Sequence, residues 1–237
     1  MAKKIKGTIQ DQSFRQRINI EQGLLMGQQD EANEYLETCI DKKEALHKVL
    51  RLLCLKSLCN NGIPKKEFEF FRREILQVYG YEQMLNLMNL EKLGMFIENK
   101  TKGNWKAVKQ AFKLINEDID EENPQDFAYT HCMYAPLSVR LVERTCKGLW
   151  GDAATKRALQ LLPGPTVDMT QEGTVPGPPG AGRRPVTLVF FAGGCTFAEI
   201  TSLRFLGEQI GHDFIIATTK LINGNTMMES VMDKFPQ

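Results

Sequence analysis

At 237 residues the chain is long for one domain and comfortable for two, since domains commonly run to about 100–150 residues. A hydrophobic share of 42% beside 25% charged residues is ordinary globular composition and excludes wholesale disorder, collagen-like and disulfide-scaffold classes. Thirty Lys+Arg against 29 Asp+Glu leave a formal charge of +1, so no whole-chain field recruits nucleic acid or an anionic membrane. Mean hydropathy is −0.30, and the apolar runs fall far short of the roughly 20 residues that span a bilayer. The opening Met1-Ala-Lys-Lys-Ile-Lys-Gly7 has the positive charge of a signal peptide without an apolar core behind it. The chain reads as soluble and cytoplasmic.

Residues 1–40 are polar and helix-friendly and read as a helical connector without a core of its own. Asp41-x-x-Glu44 has capping-box spacing, and the stripe Leu46, Val49, Leu50, Leu53 and Leu58 that follows predicts a central helix buried on most sides. Gly62 ends it and Pro64 prevents resumption. A helix at about Lys65–Tyr79 carries Phe68, Phe71, Ile75 and Val78 at helical spacing, Gly80 breaks it, and another is expected over 81–93. Three helices with tight glycine turns resemble a helix-turn-helix or winged-helix core. Further helices are expected over 104–115, from Pro136 onward and over 153–162.

Composition then changes. Residues 163–185 hold six of the ten prolines and almost no large apolar side chain, the signature of a flexible linker. Beyond it Val186-Thr-Leu-Val-Phe-Phe191 reads as a strand covered on both faces. Thr196 is a plausible N-cap for a helix from Phe197 to about Glu208, and a second strand runs from about Phe214. This is one βαβ unit with parallel strands. Two strands do not make a stable sheet, so the rest must come from elsewhere. The class is therefore α+β. Residues 41–162 form a helical domain, 163–185 a linker, and 186–237 a partial α/β segment of a parallel-sheet domain.

Six cysteines and three histidines are dispersed with no Cys-x-x-Cys pair, so no metal is assigned. Phe191-Ala-Gly-Gly-Cys-Thr-Phe197 sits where a phosphate loop would lie, but no dinucleotide or P-loop fingerprint surrounds Gly193-Gly194. The simpler reading is a tight strand-to-helix turn, with no cofactor. His212-Asp213 and Cys195 lie at opposite ends of the βαβ unit, and Ser138 and Ser202 lack a nucleophile elbow; no catalytic residue is assigned and the chain reads as no enzyme. The segment 81–93 is acidic and methionine-rich with one lysine, which argues against a winged-helix DNA-binding protein, the alternative of a different class. The same segment suits a protein contact. Tyr79 and Tyr81 flank Gly80, and Met84 and Met88 fall three and seven positions beyond Tyr81, and such side chains are enriched at interfaces. Periodicity alone leaves an interface and a core role equally open for them.

Longer stretches carry a resemblance: Lys48-Val-Leu-Arg-Leu-Leu-Cys-Leu-Lys-Ser-Leu-Cys-Asn-Asn-Gly62, Arg73-Glu-Ile-Leu-Gln-Val-Tyr-Gly-Tyr-Glu82, Asn89-Leu-Glu-Lys-Leu-Gly94, Tyr134-Ala-Pro-Leu-Ser-Val-Arg-Leu141, Leu162-Pro-Gly-Pro165 and Thr187-Leu-Val-Phe-Phe-Ala-Gly-Gly-Cys-Thr-Phe-Ala-Glu-Ile200. Together they resemble the Sec/Munc family of SNARE-binding proteins. The resemblance implies the C-terminal part of a longer, non-enzymatic subunit of the HOPS and CORVET tethering complexes. Such a subunit acts in vesicle-mediated transport and fusion, peripheral on late endosome and lysosome membranes without inserting into them. It implies docking onto vacuolar protein sorting-associated protein 16 through a Tyr-Gly-Tyr-Glu-x-hydrophobic segment. Carried over, this assigns Tyr81 and Met84, a Met standing where the family usually has Ile. The SNARE-gripping surfaces of the family lie largely in parts this sequence lacks, so SNARE contact through this chain is not expected.

Overall fold

The computed structural model describes residues 6–7, 9–99, 104–120, 122–169 and 184–233. It is mostly helical with one small parallel sheet, an α+β fold. Two compact units divide the chain: Met1–Trp105 together with Gly224–Gln237, and Lys106–Asn223. Of the stretch read as a linker, residues 170–183 lie outside the described residues.

The first unit begins with α1 (Gln12–Met26) and α2 (Asp30–Asp41). The Asp11 carboxylate caps α1 by accepting from the Ser13 N–H, and Gly27 closes it in the left-handed region at φ 99°. Read from sequence as a connector, this stretch gives Ile20, Leu24, Ala32, Leu36, Cys39 and Ile40 to the main core. Its polar composition concealed that because each helix buries only a narrow stripe. Helices α3 (Leu46–Cys59), α4 (Lys65–Tyr79) and α5 (Gln83–Lys92) follow. Val49, Leu50, Leu52 and Leu53 of α3 meet Phe68, Phe71 and Ile75 of α4 in that core. Leu58, expected to continue the buried stripe, is half exposed. The expected capping box at Asp41 and Glu44 does not form. Asp41 is the last residue of α2, Lys43 turns the chain at φ 48°, and α3 starts at Leu46 with no side-chain cap.

Inside this core lies one charge. Lys56 is fully buried and its Nζ donates to Asn33 and to Glu67 Oε2 at 2.6 Å, with the Phe71 ring 5.7 Å away. An ammonium at such a site is tolerable only when so paired. The chain re-enters the unit as α10 (Gly224–Val231), whose Met228 joins the core.

The second unit runs from α6 (Trp105–Ala111), most of which belongs to it, through a 3-10 turn (Phe127–His131), α7 (Leu137–Cys146), α8 (Ala153–Leu159), β1 (Val186–Phe191) and α9 (Phe197–Ile210) to β2 (Asp213–Thr218). The helix expected over 104–115 is shorter because Lys113 adopts φ 50° and Ile115 pairs with Tyr134 instead. Phe127, Ala128, Ala135, Val139, Leu203 and Leu206 form a second core. The buried Arg140 guanidinium binds Asp126 at 2.7 Å and Glu143 at 3.0 Å and lies over the Phe127 ring.

Strands β1 and β2 are parallel, with Leu188 opposite Ile215 and Phe190 opposite Ala217. One face packs against α9 through Val189, Phe191, Phe214 and Ile216. The other carries Val186, Leu188, Phe190 and Ile215, each more than half exposed. The strand read as covered on both faces is therefore covered on one among the described residues.

Candidate functional site

The turn between α4 and α5 presents the residues singled out from sequence. Helix α4 ends where Gly80 takes φ 106°, a backbone setting that L side chains rarely adopt, and its N–H still bonds to Leu76 O at 3.2 Å. The chain then restarts in a tight first turn, Gln83 N–H to Gly80 O at 3.2 Å and Met84 N–H to Tyr81 O at 3.0 Å. This reversal throws the Tyr81 ring outward, 73% exposed. On α5 the next positions on that side are Leu85, 51% exposed, and Met88, 39% exposed. Residues 81, 85 and 88 have i, i+4, i+7 spacing, Tyr81 in the turn before α5 and the other two on it, and by that spacing these exposed side chains read as one apolar strip. Beside Tyr81 opens a cleft of about 240 Å³ lined by Glu69, Arg72, Arg73, Leu76, Gln77 and Tyr81.

The other two sequence candidates sit differently. Tyr79 packs against the core, and its hydroxyl donates to Glu44 O at 2.6 Å. Burial, with Cys39 and Glu44 nearby, pushes its pKa up to about 12. Met84 lies at the core margin, where its Sδ accepts from Arg72 Nη2 at 3.4 Å. The structure thus exposes Tyr81 and Met88 together, turns Tyr79 and Met84 largely inward, and adds Leu85. Leu85 was legible as the i+4 partner of Tyr81, but a leucine beside Met84 and two residues before Leu87 suits a buried position equally well.

The other candidate chemistry has structural occupations. Gly193 N–H donates to Thr219 Oγ1 at 3.0 Å, and a Cβ on Gly194 would lie 2.7 Å from Ile222 Cγ2. Close approach of Ile222 therefore accounts for the second glycine. Thr196 caps α9 with Glu199 in a reciprocal capping box, as its position predicts. Ser138 donates to Glu199 at 2.7 Å, Ser202 and Thr130 hydroxyls meet at 3.0 Å, and His212 Nε2 lies 2.7 Å from Thr187 Oγ1. Cys39, Cys54, Cys59 and Cys195 are buried thiols, and burial pushes Cys54 up to about 12. Among the described residues no three His, Cys, Asp or Glu side chains converge to hold a metal, and no helix is long and apolar enough to cross a membrane.

The Sec1 family model matches residues 1–230, and the chain belongs to that family. Over 244 residues it is 41% identical to vacuolar protein sorting-associated protein 33A of Rattus norvegicus, covering 99% of this chain and 40% of that protein. The vacuolar protein-sorting-associated protein 33 homolog of Arabidopsis thaliana is 43% identical over 237 residues, 94% of this chain and 40% of its own length. Vacuolar protein sorting-associated protein 33B of Homo sapiens is 30% identical over 261 residues, 94% and 42% respectively. The chain thus spans about two fifths of the length of the curated relatives it matches.

Proposed function

We propose that this chain is a non-enzymatic docking subunit in vesicle-mediated protein transport. It contributes to the HOPS and CORVET tethering complexes at endosome and lysosome membranes by binding vacuolar protein sorting-associated protein 16. The reading draws on family membership and on relatives named for vacuolar protein sorting. One observation carries the site: the Tyr81 ring stands 73% exposed at the head of the Leu85 and Met88 strip. An aromatic with aliphatic neighbours and a charged rim is the composition of an interface hot spot. The helix-turn-helix-like run α3 to α5 serves here as the frame that holds this strip, within residues 41–162 read as the docking domain. Residues 186–237 are read as a piece of the larger parallel-sheet domain of the family, although 224–237 fall in the first compact unit with the helices.

No observation favours the duplex-DNA alternative. The exposed side of α5 and the turn before it offers Tyr81, Leu85 and Met88, and phosphate backbone is not held by such side chains. In a pull-down on immobilised vacuolar protein sorting-associated protein 16, the wild-type chain is retained while Tyr81→Asp and Leu85→Lys are lost. Retention of both variants at wild-type level would remove this site from the account.

A further inference from the structure

We propose that the returning C-terminal segment, residues 224–233, is a strap that positions the docking helix α5, acting through Asn86 and Asn89; this rests on the docking reading above. Helix α5 is poorly equipped to hold itself. It has ten residues and no side-chain N-cap, and isolated helices of that length are marginal in water. Leu87 and Leu90 anchor its inner side, both fully buried. The strap grips a flank of the same helix. Asn86 is 1% exposed; its Oδ1 accepts from the Asp233 N–H at 2.6 Å, and its Nδ2 donates to Gln83 Oε1 at 2.8 Å. One turn on, Asn89 Nδ2 lies 3.4 Å from Val231 O and 3.2 Å from Asp233 Oδ2, donating to both. Met228, 2% exposed, plugs the strap into the core, with Val231 and Met232 against its margin.

The grip is of a reversible kind. Beside the far end of the strap lies an open cleft of about 500 Å³, lined among others by Glu44, Tyr79, Glu82, Asn86, Met232 and Asp233. Besides the packing of Val231 and Met232 at the core margin, residues 231–233 are held to α5 by amide hydrogen bonds beside this cleft. Hydrogen bonds at the edge of a cleft open more readily than contacts in the core, and such sites are where moving elements are drawn from. Seated, it fixes the orientation of α5 and with it the strip at 81, 85 and 88. Unseated, it leaves α5 attached by Leu87, Leu90 and Met84 and by the contacts of Arg72 with Met84 and Glu91.

The test compares the full chain with Asn86→Ala/Asn89→Ala, with Asn89→Gln, and with a chain lacking residues 224–237. Amide exchange and capture on vacuolar protein sorting-associated protein 16 are read for each. The double variant is expected to speed exchange over residues 83–92 about tenfold, leave β1 and β2 unchanged, and weaken capture about tenfold. Asn89→Gln, which keeps the amide, recovers much of both, and a synthetic peptide of residues 224–237 restores protection to the shortened chain. Unchanged exchange over 83–92 in the double variant and the shortened chain overturns the strap. Tyr81→Asp separates the two readings: it should lose capture while exchange over 83–92 stays at the wild-type level. If Tyr81→Asp is captured normally the docking reading fails, and exchange alone then decides whether the segment positions the helix.

Discussion

At Gly194 the backbone adopts φ 140°, and a Cβ there would meet Ile222 at 2.7 Å. Both demands fall on one residue, so Gly194→Ala is expected to destabilise the second unit by about 1–3 kcal/mol. Urea denaturation measures this, and an unchanged midpoint would show that Ile222 gives way freely. The two part-buried tyrosines of the main core make a different prediction. Tyr35 and Tyr79 are each raised from 10 to about 12, burial being the largest cause. The fold favours the neutral phenol, so their contribution is complete below pH 10, the value in the unfolded chain. As pH climbs from 10 to 12 the unfolded chain surrenders those protons first and stability falls. Urea midpoints should therefore drop across that window, and Tyr79→Phe should flatten the drop. An equally steep fall in the variant would mean that Tyr79 is not part of it.

The two strands and α9 show which features a sequence declares. Val186–Phe191 was readable to the residue because six β-branched, leucine and aromatic residues in a row, bounded by Pro185 and Gly193, leave little choice. Thr196 and Glu199 announced the start of α9 by their spacing. What the strand run could not reveal is how many faces find a cover, since Leu188 and Val189 are equally apolar yet point to opposite sides. For the same reason Tyr81 was legible as a candidate while its exposure was not: Tyr79, two residues earlier, has the same chemistry and faces inward. Asn86 and Asn89 gave no signal at all, because their partners Val231 and Asp233 lie more than 140 residues away. The exposed sheet face has its own consequence. Leu188→Ser and Phe190→Ser should lower binding of a hydrophobic dye and shift Tm by less than about 2 °C, whereas Leu206→Ser, 1% exposed, should cost about 3 kcal/mol. Equal losses of stability from all three would show the outer face to be covered.

Across the whole molecule, the proposed docking site is a place where the described residues leave large apolar groups exposed together, and the outer face of the sheet is another. Ser138, Ser202, Thr196 and His212 are engaged in a cap or in side-chain hydrogen bonds and four of the thiols are buried, whereas Tyr81, Leu85 and Met88 are exposed. The chain covers about 40% of its relatives' length, and the docking role proposed for it is tested at this surface. The most direct test is calorimetric titration of the chain into vacuolar protein sorting-associated protein 16, wild type against Tyr81→Asp. The ring is exposed, so the variant should keep its Tm within about 2 °C, and a carboxylate forced into an apolar contact should weaken Kd by about 30-fold or more. Equal affinity in a folded Tyr81→Asp chain would contradict the account.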